Sequence, residues 1–169
     1  PANAQTFAVN KTSSALTGLW FNAAESGWGV GITQRNDKVF VTWYAYEANG
    51  TPSWYVMSDC PVIADGCTGD MLRVSGGTPL TAAWNKPTLA LPKIGTATLK
   101  FSSNDAGTLS YTLNGITISK AITRQLFGTA NGSSADHSDL WWNTNESGWG
   151  ATITQRGNII FLVVYTYDA

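Results

Sequence analysis

Hydrophobic and polar residues alternate along this chain in short runs that are cut by turn residues. The period-two stretches predict strands near 18–22, 28–35, 38–47, 53–58, 70–75, 96–102, 108–113 and 116–127. Asn114-Gly115, set between Leu113 and Ile116, is the strongest hairpin signal, because both residues of such a turn adopt positive φ. Asn104 to Gly107 and Glu47 to Pro52 read as longer turns, and 76–95, with Pro79, Pro87 and Pro92, as a surface loop. No stretch carries a helical period. The expected fold class is all-β, an antiparallel meander forming a small barrel or sandwich of about eight strands.

The alternation also assigns faces. In the second strand Trp28, Val30, Ile32 and Gln34 share the side predicted to form the core. Gly27, Gly29 and Gly31 fall on the other side with Thr33 and Arg35, leaving it bare enough for another backbone or an aromatic ring to lie close. The third strand is apolar on both sides, with Phe40, Thr42, Tyr44 and Tyr46 against Val39, Val41, Trp43 and Ala45. Such a strand must be covered on both faces. A second sheet, a neighbouring subunit or a ligand has to supply the outer cover.

Sliding the sequence against itself by 121 positions reveals a repeat. Residues 19–48 align with 140–169 without a gap and are identical at 16 of 30 positions. The shared core is Glu25-Ser-Gly-Trp-Gly29 and Glu146-Ser-Gly-Trp-Gly150, each followed by Ile-Thr-Gln-Arg. Gln5-Thr-Phe7 faintly echoes Gln125-Leu-Phe127 ahead of the second copy. The expected organisation is an N-terminal arm over 1–15 resembling the last strand of a preceding repeat, and a complete unit over 16–127. A polar linker follows over 128–139, then a truncated second repeat of about three strands over 140–169. An incomplete unit cannot bury its own aromatic strands and presents open edges, which proteins normally pair or cover.

Composition narrows the class further. Charged residues make up 12% of the chain and the net charge is −1, with no Lys/Arg cluster, so a nucleic-acid partner is not expected. No apolar run reaches the roughly 18 residues of a membrane helix. The two cysteines, Cys60 and Cys67, flank a Pro- and Gly-containing segment whose spacing suits a disulfide at the neck of a hairpin, with a pair of buried thiols or a redox pair as the alternatives. Pro1-Ala-Asn-Ala4 reads as the remnant of a signal-peptide junction. The reading is a secreted or cell-surface bacterial protein.

Taken together, Glu-Ser-Gly-Trp-Gly followed by Thr-Gln, Gly50 to Met57, Gly95 to Leu99 and Asn114 to Leu126 resemble a repeat module of predicted exported proteins of proteobacteria. The resemblance spans 16–127, with 140–169 as a shortened copy. It implies an exported protein whose modules are repeated and appended to other domains, and it carries no catalytic residues.

Candidate chemistry is sparse. Glu25 and Glu146 are the acidic residues kept between the copies; each either accepts backbone N–H bonds in a tight turn, pairs with Arg35 or Arg156, or binds a ligand. Carboxylate-dyad catalysis would require a second acid such as Glu47 nearby. Trp20, Trp28, Trp43 and Trp54 are either core or a sugar-stacking platform, with Asn22, Thr33 and Gln34 as polar neighbours. Tyr44 belongs to the same aromatic rows. Trp141, Trp142, Trp149, Gln155, Tyr165 and Tyr167 carry the same candidates in the second copy. His137 is the single histidine, and Asp136, His137 and Asp139 are more simply a solvated linker than a metal site. With no triad and no phosphate-cradling loop, no enzyme activity, cofactor or metal is expected. The expected function is an extracellular structural or interaction module that self-associates head-to-tail through the incomplete repeat, with a neighbouring repeat or second copy as partner. The rival is a lectin-like or lipocalin-like module for a glycan or small apolar ligand.

Overall fold

The structure is a computed structural model that describes residues 7–129 and 135–168. Eleven strands are present among them, and no helix. The first eight are β1 (Gly18–Phe21), β2 (Gly29–Arg35), β3 (Lys38–Tyr46), β4 (Pro52–Ile63), β5 (Gly66–Arg73), β6 (Lys93–Phe101), β7 (Ala106–Leu113) and β8 (Ile116–Arg124). They run as an antiparallel meander that closes on itself where Trp20 of β1 pairs with Arg124 of β8. The choice between barrel and sandwich is thereby a barrel. The second repeat forms a separate sheet of β9 (Asp139–Trp141), β10 (Gly150–Arg156) and β11 (Ile159–Tyr165), in the order β11-β10-β9.

The turns follow the local chemistry. Asn114 and Gly115 both take positive φ between β7 and β8. The β4–β5 hairpin differs from the expectation: both strands extend to Ile63 and Gly66, and the segment containing the cysteines is strand rather than loop. Ala64, at φ 30°, turns the chain, and Cys60 and Cys67 form a disulfide across the two strands. A register shift between Val56 and Val62 allows so long a hairpin to curl with the barrel wall.

Inward side chains from every wall fill the barrel. Trp20, Val30, Ile32, Val41, Met71, Leu99, Leu109 and Ile122 are buried there, and Trp20 meets Phe101 edge-on at 5.2 Å. The N-terminal arm closes one end. Its described part, 7–15, forms no strand; Val9 and Phe7 pack on the core, and the Val9 N–H donates to Ala64 O. Gln5, the Pro1–Ala4 junction and linker residues 130–134 lie outside the described residues.

Candidate functional site

The two copies reproduce one local architecture, bond for bond. In the first, the Gln34 side-chain amide donates to Asn10 O and Asn36 O and its carbonyl accepts from the Leu16 N–H. In the second, Gln155 donates to Ala135 O and Gly157 O and accepts from the His137 N–H. Trp20 Nε1–H donates to Leu16 O, and Trp141 Nε1–H to His137 O. Trp28 donates to Glu25 at 3.1 Å, and Trp149 to Glu146 at 3.0 Å. Gln34, on the predicted core face and also a candidate neighbour of a sugar platform, is fully buried, its polar atoms taken up by backbone. Asn22 likewise folds its side chain onto the Ala24 N–H.

The glycine face of β2 receives the second sheet. A Cβ on Gly31 would lie 3.0 Å from Thr42 Oγ1, 3.6 Å from Tyr44 OH and 3.9 Å from a Thr152 methyl, so the absent side chain is what lets β10 approach. Thr152 is the residue of the second copy equivalent to Gly31, so the two outer faces meet back to back. Tyr44 stacks on its own counterpart Tyr165, with ring centres 6.0 Å apart and planes 12° from parallel. The Tyr165 hydroxyl lies 3.2 Å from Thr42 Oγ1, which also accepts from Tyr44 OH. Burial pushes both phenols above the usual tyrosine value. Trp54 packs on Tyr165 and Tyr167 and donates to Thr166 O, while a Cβ on Gly77 would collide with the Tyr167 ring at 1.7 Å. Phe127 against Phe161, Trp84 Nε1–H donating to Ser147 O and an Arg35–Asp139 ion pair complete the seam. The outer cover that β3 requires is therefore this second sheet. Arg35 pairs with Asp139, and not with Glu25 as one sequence reading had it.

The opposite face of that sheet has no cover among the described residues. By register, Val164, Ala151 and Trp141 share it, followed by Leu162 with Ile153, then Ile160 with Gln155. Their first-copy equivalents Trp43, Val30, Trp20, Val41, Ile32, Val39 and Gln34 are interior residues of the barrel. The contrast in exposure is large: Trp20 is 1% exposed and Trp141 49%, Val41 1% and Leu162 54%. The sheet thus presents the lining of an unclosed barrel. Its outer edge, β11, has no partner strand among the described residues, where the equivalent β3 pairs with β4 through Tyr44↔Trp54 and Val41↔Met57. Trp142, at the other edge strand's end, is also exposed. Arg156 has its Nε buried without a partner at the seam, as do the Thr152 and Thr154 hydroxyls.

The four candidate tryptophans Trp20, Trp28, Trp43 and Trp54 do not make one platform. Trp20 and Trp43 face the barrel interior, Trp28 sits half-buried at one barrel mouth, and Trp54 lies on the outer wall under the docked sheet. At that mouth Glu25 Oε2 accepts from Trp28 and from Lys120 of β8, and the Lys120 bond holds the Glu25 carboxyl below its usual value. Lys120 is a participant that sequence reasoning missed. Its strand is distant in sequence, and only closure of the meander brings it to the Glu25 turn. Glu47 pairs with Arg73 and accepts from Tyr55 OH, so its carboxylate is committed elsewhere. Among the described residues no three His, Cys, Asp or Glu side chains gather as a metal site, and no helix is long and apolar enough to cross a membrane. No protein-family model, no curated protein and no solved structure matches this chain.

Proposed function

We propose that the chain is a non-catalytic extracellular interaction module that self-associates through the open face of its second sheet. The observation that carries this is the exposed face of Trp141, Ile160, Leu162 and Val164 beside the unpaired edge of β11. Every equivalent position in the first copy is covered by barrel strands. Burying four such side chains against a partner is favourable by about 1.5–3 kcal/mol each before association entropy is counted. An open apolar edge strand is also a template for main-chain pairing.

A second copy supplies the matching surface. The barrel closes where Trp20 and Phe21 pair with Arg124 and Thr123, so a head-to-tail contact between edge and barrel finds only the Ile116–Ile122 stretch of β8 to pair with. The half-barrel sheets can meet each other bare face to bare face, with the two β11 edges antiparallel about a twofold axis. Such an isologous contact closes as a dimer and does not propagate into a filament. The Cys60–Cys67 disulfide supports placement in an oxidising compartment outside the cytoplasm, in keeping with the exported-module resemblance.

Sedimentation equilibrium of the purified chain from micromolar to hundreds of micromolar tests the reading. The expected result is a concentration-dependent dimer that the Leu162→Asp variant cannot form. A monomer across the whole range, or a dimer indifferent to Leu162→Asp, overturns it.

A further inference from the structure

The barrel mouth that carries Glu25 also holds a cavity of about 360 Å³, at the small end of the size range for ligand sites. Its walls are Trp28, Trp43, Tyr46 and Tyr111, with Glu25 and Lys120 at the rim. The aromatic rings are fixed by one another: Trp28 and Trp43 are 6.2 Å apart, and Trp43 meets Tyr111 edge-on at 4.6 Å. Trp43 is buried, yet its indole N–H has no acceptor among the described residues. An unpaired buried donor carries a standing desolvation penalty, which a ligand acceptor reaching it would relieve.

The charges at the rim decide what class of ligand fits. Lys120 Nζ lies 2.5 Å from Glu25 Oε2 and 5.9 Å from the centre of the Trp28 ring. The aromatic walls would otherwise suit a quaternary ammonium, but the Lys120 ammonium, 5.9 Å from the Trp28 ring centre, disfavours a second cation beside it. An anion gains little, because Glu25 neutralises Lys120. What the pair does offer is a set of hydrogen-bonding groups at fixed positions with no net charge. Both described bonds to Glu25 fall on Oε2, leaving Oε1 to accept, and the Lys120 ammonium has further N–H donors beyond the one it spends on Glu25.

We propose that this mouth is a binding site for a neutral saccharide: one pyranose ring stacks its C–H face on Trp28 and Tyr111, and its hydroxyls bond to Glu25 and Lys120. The site is independent of the association surface. It is formed by β3, β7, β8 and the Glu25 turn, whereas association uses the other sheet. The second copy keeps Trp149 and Glu146 but has no counterpart of Tyr111 or Lys120 among the described residues, so it lacks this site.

Saturation-transfer NMR and calorimetric titration test it with four neutral probes, the methyl glycosides of glucose, galactose and mannose and N-acetylglucosamine, and with choline and acetate as charged probes. At least one neutral sugar binds saturably, and its affinity falls about tenfold or more in Trp28→Ala and in Lys120→Met. Trp149→Ala leaves it unchanged. Should Trp28→Ala fail to fold, Lys120→Met decides alone, since it trims a rim side chain and leaves the barrel core intact. The proposal is overturned if none of the four sugars binds, if binding survives both mouth substitutions, if Trp149→Ala abolishes it, or if choline or acetate binds more tightly than every sugar.

Discussion

Residues 19–48 and 140–168 are one sequence pattern in two surroundings. Their turns, tryptophan bonds and glutamine networks coincide, down to the left-handed Asn36 and Gly157 at equivalent turn positions. Their burial does not. In the first copy β4 to β8 continue the wall and roll it shut, so Val41 lies in a core. In the second, the same inward face stays open and Leu162 faces solvent. Local conformation is written in the repeat itself, whereas the energetic role of each side chain is set by the strands that follow it.

The sharpest way to break this comparison is to place the same charge in both copies. Val41→Asp buries an unpaired carboxylate and should cost about 4 kcal/mol or more, enough to leave the chain unfolded in a urea titration. Leu162→Asp, at the equivalent position, should leave the urea midpoint of the monomer within about 0.5 kcal/mol of the parent. Equal losses would mean that the second sheet's open face is covered within the chain.

Next in size is the glutamine pair. Gln34→Ala strands the buried Leu16 N–H and two part-buried backbone carbonyls, at an expected cost of about 2 kcal/mol. Gln155→Ala opens its network near solvent and should cost about 1 kcal/mol or less by the same denaturation measurement.

The seam between the copies should be sensitive to alkali. Tyr44 and Tyr165 titrate above the free tyrosine value when folded, because burial disfavours the phenolate. Above about pH 10 the unfolded chain releases these protons first, so stability falls as pH rises and is flat below that point. One unit above the free value, Tyr165 alone accounts for about 1.4 kcal/mol. Tyr165→Phe should flatten the alkaline limb of the stability profile; an unchanged limb would place the sensitivity elsewhere.

Two smaller substitutions act on the seam in opposite directions. Gly31→Thr installs the second copy's own residue where Thr42 and Thr152 leave no room, and should loosen β10 by about 1–2 kcal/mol. Amide exchange in β10 and β11 would rise while that of the β5–β7 wall stays fixed. Thr152→Val removes a hydroxyl buried without a partner and should tighten the seam by up to about 1 kcal/mol, slowing the same amides.

Much of the fold was legible from periodicity. The Asn114-Gly115 hairpin, the two-faced apolar β3 and the glycine face of β2 each follow from residue chemistry over a few positions. The hairpin neck at Cys60 and Cys67 was legible from their spacing, but the length of β4 and β5 was not, because Cys60-Pro61 and Gly66-Cys67 look like loop chemistry unless their pairing is known. The candidate site was legible in part. Trp28 and Glu25 stand three residues apart and bond as neighbours, but Lys120 and Tyr111 reach them only through barrel closure. Gln34 fell on the predicted core face by alternation, but only its three backbone partners show what its amide does there.

By itself the sequence determined the strands, their turns and the existence of a duplicated opening, because those depend on side-chain alternation and φ preferences within a few residues. Tertiary structure decided which face of each copy would be buried, that the two outer faces meet through Gly31 and Tyr44, and that three distant strands and the Glu25 turn share one mouth. Those outcomes depend on contacts between positions up to 123 residues apart, as Thr42 and Tyr165 are, and no local pattern encodes the partner across that distance.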